Sequence, residues 1–163
     1  MSSPRVVVLA WGNPSRGDDA LGPEFLRRTE TVAPGALDGF EFVTDFQLQP
    51  EHATDLDGRD LALFVDASSV LTSPIAFTEV QPQRGTTFTT HGMTPAAVLA
   101  AFHAAFGRKP PPAFQLAISG IDFELGAPMS EEAGRHLDAA LALFARLAAT
   151  PSAVAWRQLA QSM

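Results

Sequence analysis

The chain has 163 residues, 46% hydrophobic and 18% charged, with a net charge of −7 and no cysteine. That balance suits one globular domain over 1–163, and the missing cysteine excludes disulfides, thiolate metal sites and a cysteine nucleophile. Eleven scattered cations in an acidic chain argue against nucleic acid, and no apolar run reaches the ~20 residues of a membrane span or the core of a signal peptide, so a cytoplasmic monomer is expected.

The run Val6-Val7-Val8-Leu9 opens a buried strand over 6–11. A helix follows over 23–30, with Leu21, Phe25 and Leu26 turned inward and Pro23 in its first turn, where a missing N–H costs nothing. Residues 40–44 alternate like a strand, and 50–56 suit a short helix. Leu61 to Val65 form a continuous apolar run ending at Asp66, as in a strand covered on both faces. A fourth strand is expected over 75–80. Thr94-Pro95 is a helix start, an N-cap hydroxyl followed by proline, and this helix runs to Phe106 and stops at Gly107. The fifth strand spans 114–121. Ser130-Glu131-Glu132 opens a long helix whose apolar face is Leu137, Leu141, Phe144 and Ala148. After Pro151 either an amphipathic helix or a loose tail follows. Strands alternating with helices predict an α/β fold with a mostly parallel sheet and helices on both faces.

The most informative stretch joins the first strand to the first helix: Gly12-Asn13-Pro14-Ser15-Arg16-Gly17-Asp18-Asp19-Ala20-Leu21-Gly22-Pro23. A turn at this place often cradles a phosphate, but two acids would repel one, which disfavours a nucleotide site. Ligands in such folds bind at the carboxyl ends of the strands. Asp18 and Asp19, Asp66 after the third strand, and His91 before the Thr94 helix all fall at that edge. Two carboxylates and an imidazole suit Zn²⁺, Ni²⁺, Cd²⁺ or Fe²⁺ better than Ca²⁺, and three protein ligands leave positions open for an outside group. Each residue also has a plainer role: Asp18 or Asp19 as a helix cap, Asp66 as an acceptor for backbone N–H groups, His91 as an ordinary loop histidine.

These motifs, with Leu63-Phe64-Val65-Asp66-Ala67 and His91 ahead of a Thr-Pro helix start, resemble the hydrogenase maturation proteases. These endopeptidases trim the large subunit of [NiFe] hydrogenases. The resemblance runs in order through nearly the whole chain, including the late strand and the loop over 120–128. It implies a twisted five-stranded sheet in three layers. It also implies a large-subunit precursor as partner, already carrying nickel, whose C-terminal extension is removed after nickel insertion. Carried over by position, the metal residues are Asp19, Asp66 and His91, with Asp19 a shorter variant of an acid that is often Glu. Nickel comes with the precursor, and Zn or Cd can replace it in vitro. The family assignment is aspartic-type.

After the second strand, Asp45-Phe46-Gln47-Leu48-Gln49 departs from the family's usual Asp-Gly-Gly-Thr. It looks like the branch serving soluble, NAD-linked hydrogenases. Asp45 matches the family's acid here, implied to aid recognition or cleavage, and Gln47 and Gln49 would help choose the partner. No Gly-x-Ser-x-Gly elbow is present, so serine catalysis is a poor choice. Either nickel held by Asp19, Asp66 and His91 positions and polarises the scissile bond, or Asp45 or Asp18 acts as general base on water. The alternative from another class is a metal-sensing binding module that does not cut.

Overall fold

The computed structural model describes residues 4–83 and 93–163. Five strands form one sheet: β1 (Val6–Trp11), β2 (Phe40–Asp45), β3 (Leu61–Ser68), β4 (Ile75–Val80) and β5 (Ala113–Ser119), in the order β2-β1-β3-β5-β4. All pairs are parallel except β4 against β5. β1 is buried along its whole length, and β3 from Leu61 to Val65. These central strands are covered on both faces, which explains their unbroken apolar sequence.

Alternate residues of β1 serve two cores. Val6, Val8 and Ala10 face α1 (Leu21–Val32), α3 (Glu131–Ala149) and α4 (Ala153–Gln161), where Phe25, Leu141, Phe144 and Trp156 fill the layer. Val7, Leu9 and Trp11 face α2 (Pro95–Phe106) and a 3₁₀ helix over Pro50–Leu56, where Leu48, Leu56, Val98 and Phe102 pack. The expected three-layer α/β architecture is what forms. The helix starts are set by side chains: Thr94, Ser130 and Ser152 each accept a hydrogen bond at 3.1 Å from the N–H three residues on.

Several boundaries differ from expectation, each for a tertiary reason. β3 continues past Val65 to Ser68, because Asp66, Ala67 and Ser68 pair with Ala117, Ile118 and Ser119 of β5. β5 stops at Ser119 rather than 121, because the Ile121 and Asp122 N–H groups turn away to Asp18. α1 starts earlier, at Leu21, after a 3₁₀ turn over Gly17–Ala20, and ends later, at Val32. After Pro151 the chain is helical. Trp156 is fully buried against Phe77 and Phe114, and its indole N–H donates to the Leu147 carbonyl at 3.0 Å. Arg157 clamps Glu79 with two 2.8 Å bonds. Among the described residues, no helix is long and apolar enough to cross a membrane.

Candidate active site

The site begins where β1 ends. The Gly12 N–H donates to the Asp45 carbonyl at 3.0 Å, tying the turn to the end of β2. A Cβ on Gly12, at φ +150°, would stand 2.0 Å from the Asp19 carbonyl oxygen, so only glycine lets the loop fold back that closely. The turn is braced internally. Arg16 N–H donates to the Asn13 carbonyl at 3.1 Å, Asp19 N–H to the Arg16 carbonyl at 3.0 Å, and Ser15 N–H to Asn13 Oδ1 at 2.9 Å. One Asp19 oxygen, Oδ2, accepts the Asn13 N–H at 2.7 Å. Asp19 is thereby fixed at the edge of a cleft of about 920 Å³.

Asp66 reaches the same cleft from β3. Two residues after Phe64, it shares that residue's face on the α2 side of the sheet, one register step beyond the Ala10–Val65 pair. Burial, reinforced by the negative charge of Asp19 and partly countered by the Ala67 N–H, pushes its carboxyl up to about 7. Two acids thus share one cleft, and no ion pair with a described cation offsets either. A pair of this kind fits a bound cation, with oxygen donors of the class that accepts divalent metals. The third expected ligand, His91, lies outside the described residues, whereas Met93, Thr94 and Pro95 line the cleft. Among the described residues no three His, Asp or Glu side chains converge on one point.

Asp18 goes the other way. Its side chain is fully buried, and its oxygens accept the N–H groups of Ile121 (2.7 Å), Asp122 (3.0 Å) and Ser130 (2.7 Å) and the Ser130 hydroxyl (2.8 Å). Burial alone would raise its pKa, but these four donors together bring it below the ordinary value. Three of these donors fall on Oδ2 and one on Oδ1, and with the side chain fully buried neither oxygen is open to the cleft. Asp18, one of the two acids considered as general base, does not line the cleft. It fastens the loop over 120–130 to the first turn. Gly17 completes the fastening, at φ +53°, its N–H bonded to the Ala127 carbonyl at 3.0 Å. A Cβ there would lie 2.2 Å from the Asp122 carbonyl oxygen.

Asp45 ends β2 beside the cleft and does not line it, although Phe46 and Gln47 do. Its Oδ1 accepts the Phe46 N–H at 2.7 Å, and its Oδ2 lies 3.4 Å from His52 Nε2. The His52 Nδ1 accepts the Gln49 N–H at 2.7 Å, which leaves the proton on Nε2, the ring nitrogen near Asp45. Asp45 therefore sets the path of the Phe46-Gln47 wall, and Gln49, away from the cleft, holds the imidazole. Three participants escaped the sequence reading. His52 carried a signal in its spacing of three from Gln49 at a helix start. Gln115 stands on the α2 side of β5, and Arg16 in the braced turn, and both line the cleft.

No protein-family model matches the sequence, and no curated protein matches it. Solved structures do match in shape. The [NiFe] hydrogenase maturation protease HycI from Thermococcus kodakarensis KOD1 aligns at a TM-score of 0.68 with 20% identity, over 90% of this chain and 94% of that one. The hydrogenase maturating endopeptidase HybD from E. coli aligns at 0.69 with 20% identity, over 88% and 91%. An uncharacterized protein from Wolinella succinogenes aligns at 0.62 with 16% identity, over 92% and 100%. The chain shares its fold with these three solved structures, two of them hydrogenase maturation proteases, and has a cleft holding two carboxylates at the carboxyl edge of its sheet.

Proposed function

We propose that the chain is an endopeptidase that removes the C-terminal extension of a [NiFe] hydrogenase large-subunit precursor once nickel has been inserted. It would work as one domain in the cytoplasm, on the branch serving soluble hydrogenases. The observation that carries this reading is the Asp19–Asp66 pair: two acids fixed in one cleft with no described cation between them. It is joined by the ordered motif match and by a fold shared with solved maturation proteases.

In this reading Asp19, Asp66 and His91 hold the nickel that the precursor brings. Held by these residues, the precursor's nickel would anchor the tail and would supply Lewis-acid polarisation of the carbonyl to be cut. The protein's part is largely positioning, which can supply a large share of a rate enhancement. The braced turn holds Asp19, the β3–β5 pairing holds Asp66, and the Phe46-Gln47 wall bounds the substrate. Asp45 enters either as general base or as the residue that shapes that wall.

The test is incubation with nickel-loaded and nickel-free precursor, read by mass spectrometry. Release of one C-terminal peptide from the loaded form alone is the expected result. Tight binding of the loaded precursor without a cut would instead make the protein a metal-sensing binding module. Asp19→Ala and His91→Ala should each abolish release, and the melting temperatures of these variants separate lost metal contact from lost fold.

A further inference from the structure

Arg16 is the one arginine or lysine lining the cleft among the described residues. Its side chain is exposed and forms no described ion pair, with Asp19, Asp66 or any other acid. Arg27, Arg28, Arg59, Arg108 and Arg157 are each paired with an acid. The backbone beneath Arg16 is fixed: its N–H is bonded to Asn13, its carbonyl to Asp19, and the next residue, Gly17, to Ala127. A rigid turn thus presents to the cavity that holds two carboxylates a guanidinium with no ion pair among the described residues. Phe123 lines the same cavity and gives it an apolar surface. A nearby low-dielectric wall strengthens any ion pair formed there.

We propose that Arg16 binds a carboxylate of the peptide being cut, so that the cleft is bipolar. It takes the substrate's metal on Asp19 and Asp66 and an acidic group of the tail on Arg16. The inference rests on the endopeptidase reading. A guanidinium meets a carboxylate through two parallel N–H bonds, which fixes direction as well as position. The tail would therefore enter in one orientation. The carboxylate has two possible sources, the free terminus of the tail or an Asp or Glu side chain within it.

The experiment compares wild type, Arg16→Gln and Arg16→Lys on nickel-loaded large-subunit precursor. Arg16→Gln should raise KM about tenfold with kcat within about twofold, the size expected for one lost charge-assisted contact. Arg16→Lys, which keeps charge but not the fork, should fall between. Melting temperatures should match, because the side chain forms no hydrogen bond or ion pair among the described residues. A wild-type KM in Arg16→Gln, or a fall in kcat at constant KM, overturns the proposal. A second assay uses a synthetic peptide of the precursor's C-terminal tail, followed by the fluorescence of Trp11, which lines the cleft. Loss of binding on amidating the peptide terminus assigns the free carboxylate. Loss on changing its Asp and Glu to Asn and Gln assigns a side chain. If the wild type does not cut loaded precursor, the endopeptidase reading fails. Tail-peptide binding that needs Arg16 then still upholds a carboxylate site, and binding independent of Arg16, or none, removes it.

Discussion

Asp18 and Asp19 are neighbours in the chain and opposites in the fold. Asp18 is fully buried, bonded to four donors and lowered in pKa. Asp19 has one described donor, the Asn13 N–H, and lines a cleft with Asp66, whose carboxyl is pushed up to about 7 by burial, reinforced by the charge of Asp19. Chemistry follows the donors around a carboxylate more than its place in a motif. Where N–H groups fill the acceptor positions, the acid is a fastener. Where two acids share a cleft with few donors, burial and the neighbouring charge raise the pKa of the more buried one.

The largest effect expected is on the fastener. Asp18→Ala leaves three N–H groups and a hydroxyl without their acceptor, a loss of roughly 3–5 kcal/mol. That should lower the melting temperature by roughly 10 °C or more in a protein of this size. A melt within a few degrees of wild type would mean that Asp18 is not the fastener its bonds describe.

Next in size is an opposed pH dependence. The folded pKa of Asp66 is above its ordinary value of 3.8, so the metal-free folded state holds this proton more tightly than the unfolded one. Its contribution is full below pH ~4 and is lost as pH rises to about 7, on the order of 4 kcal/mol. Asp66→Asn should flatten that slope in urea denaturation of metal-free protein. Asp18 has the reverse sign. Its folded pKa is lowered, so its contribution is present above its ordinary value and lost on acidification. An unchanged slope in Asp66→Asn would break the contrast.

Asp45→Asn sharpens the contrast from a third position. If Asp45 is a general base, cleavage should fall by roughly 10²-fold or more with precursor binding intact. If it only shapes the wall through Phe46 and His52, precursor binding should weaken and single-turnover cleavage of bound precursor should stay near wild type. Pull-down and single-turnover assays on the one variant decide. The smallest effect is that of Ser130→Ala, which removes an N-cap and one of four Asp18 partners. It should cost about 1–2 kcal/mol by denaturant midpoint and leave cleavage unchanged.

The elements were legible because their signals are local. Apolar runs marked β1 and β3, and Thr94 and Ser130 marked helix starts that their side chains do cap. What depended on distant partners was not legible. The extension of β3 to Ser68 needs β5, and the helical tail needs Phe77 and Phe114 to receive Trp156. Which of two adjacent acids is buried is decided by Ile121, Asp122 and Ser130, more than a hundred residues further on. Arg16 gave no signal, because an arginine in a turn is ordinarily a solvated one.

The strand order has a consequence for synthesis. β5 lies between β3 and β4, although both precede it in the chain. Until residues 113–119 leave the ribosome, β3 presents a long apolar edge with open N–H and C=O groups, and β4 has no place in the sheet. Such an edge is a template for pairing with another chain. Slow or interrupted translation between 80 and 113 should therefore favour aggregation. A chain cut after Phe106 should collect in the insoluble fraction, although it carries Asp19, Asp66 and His91.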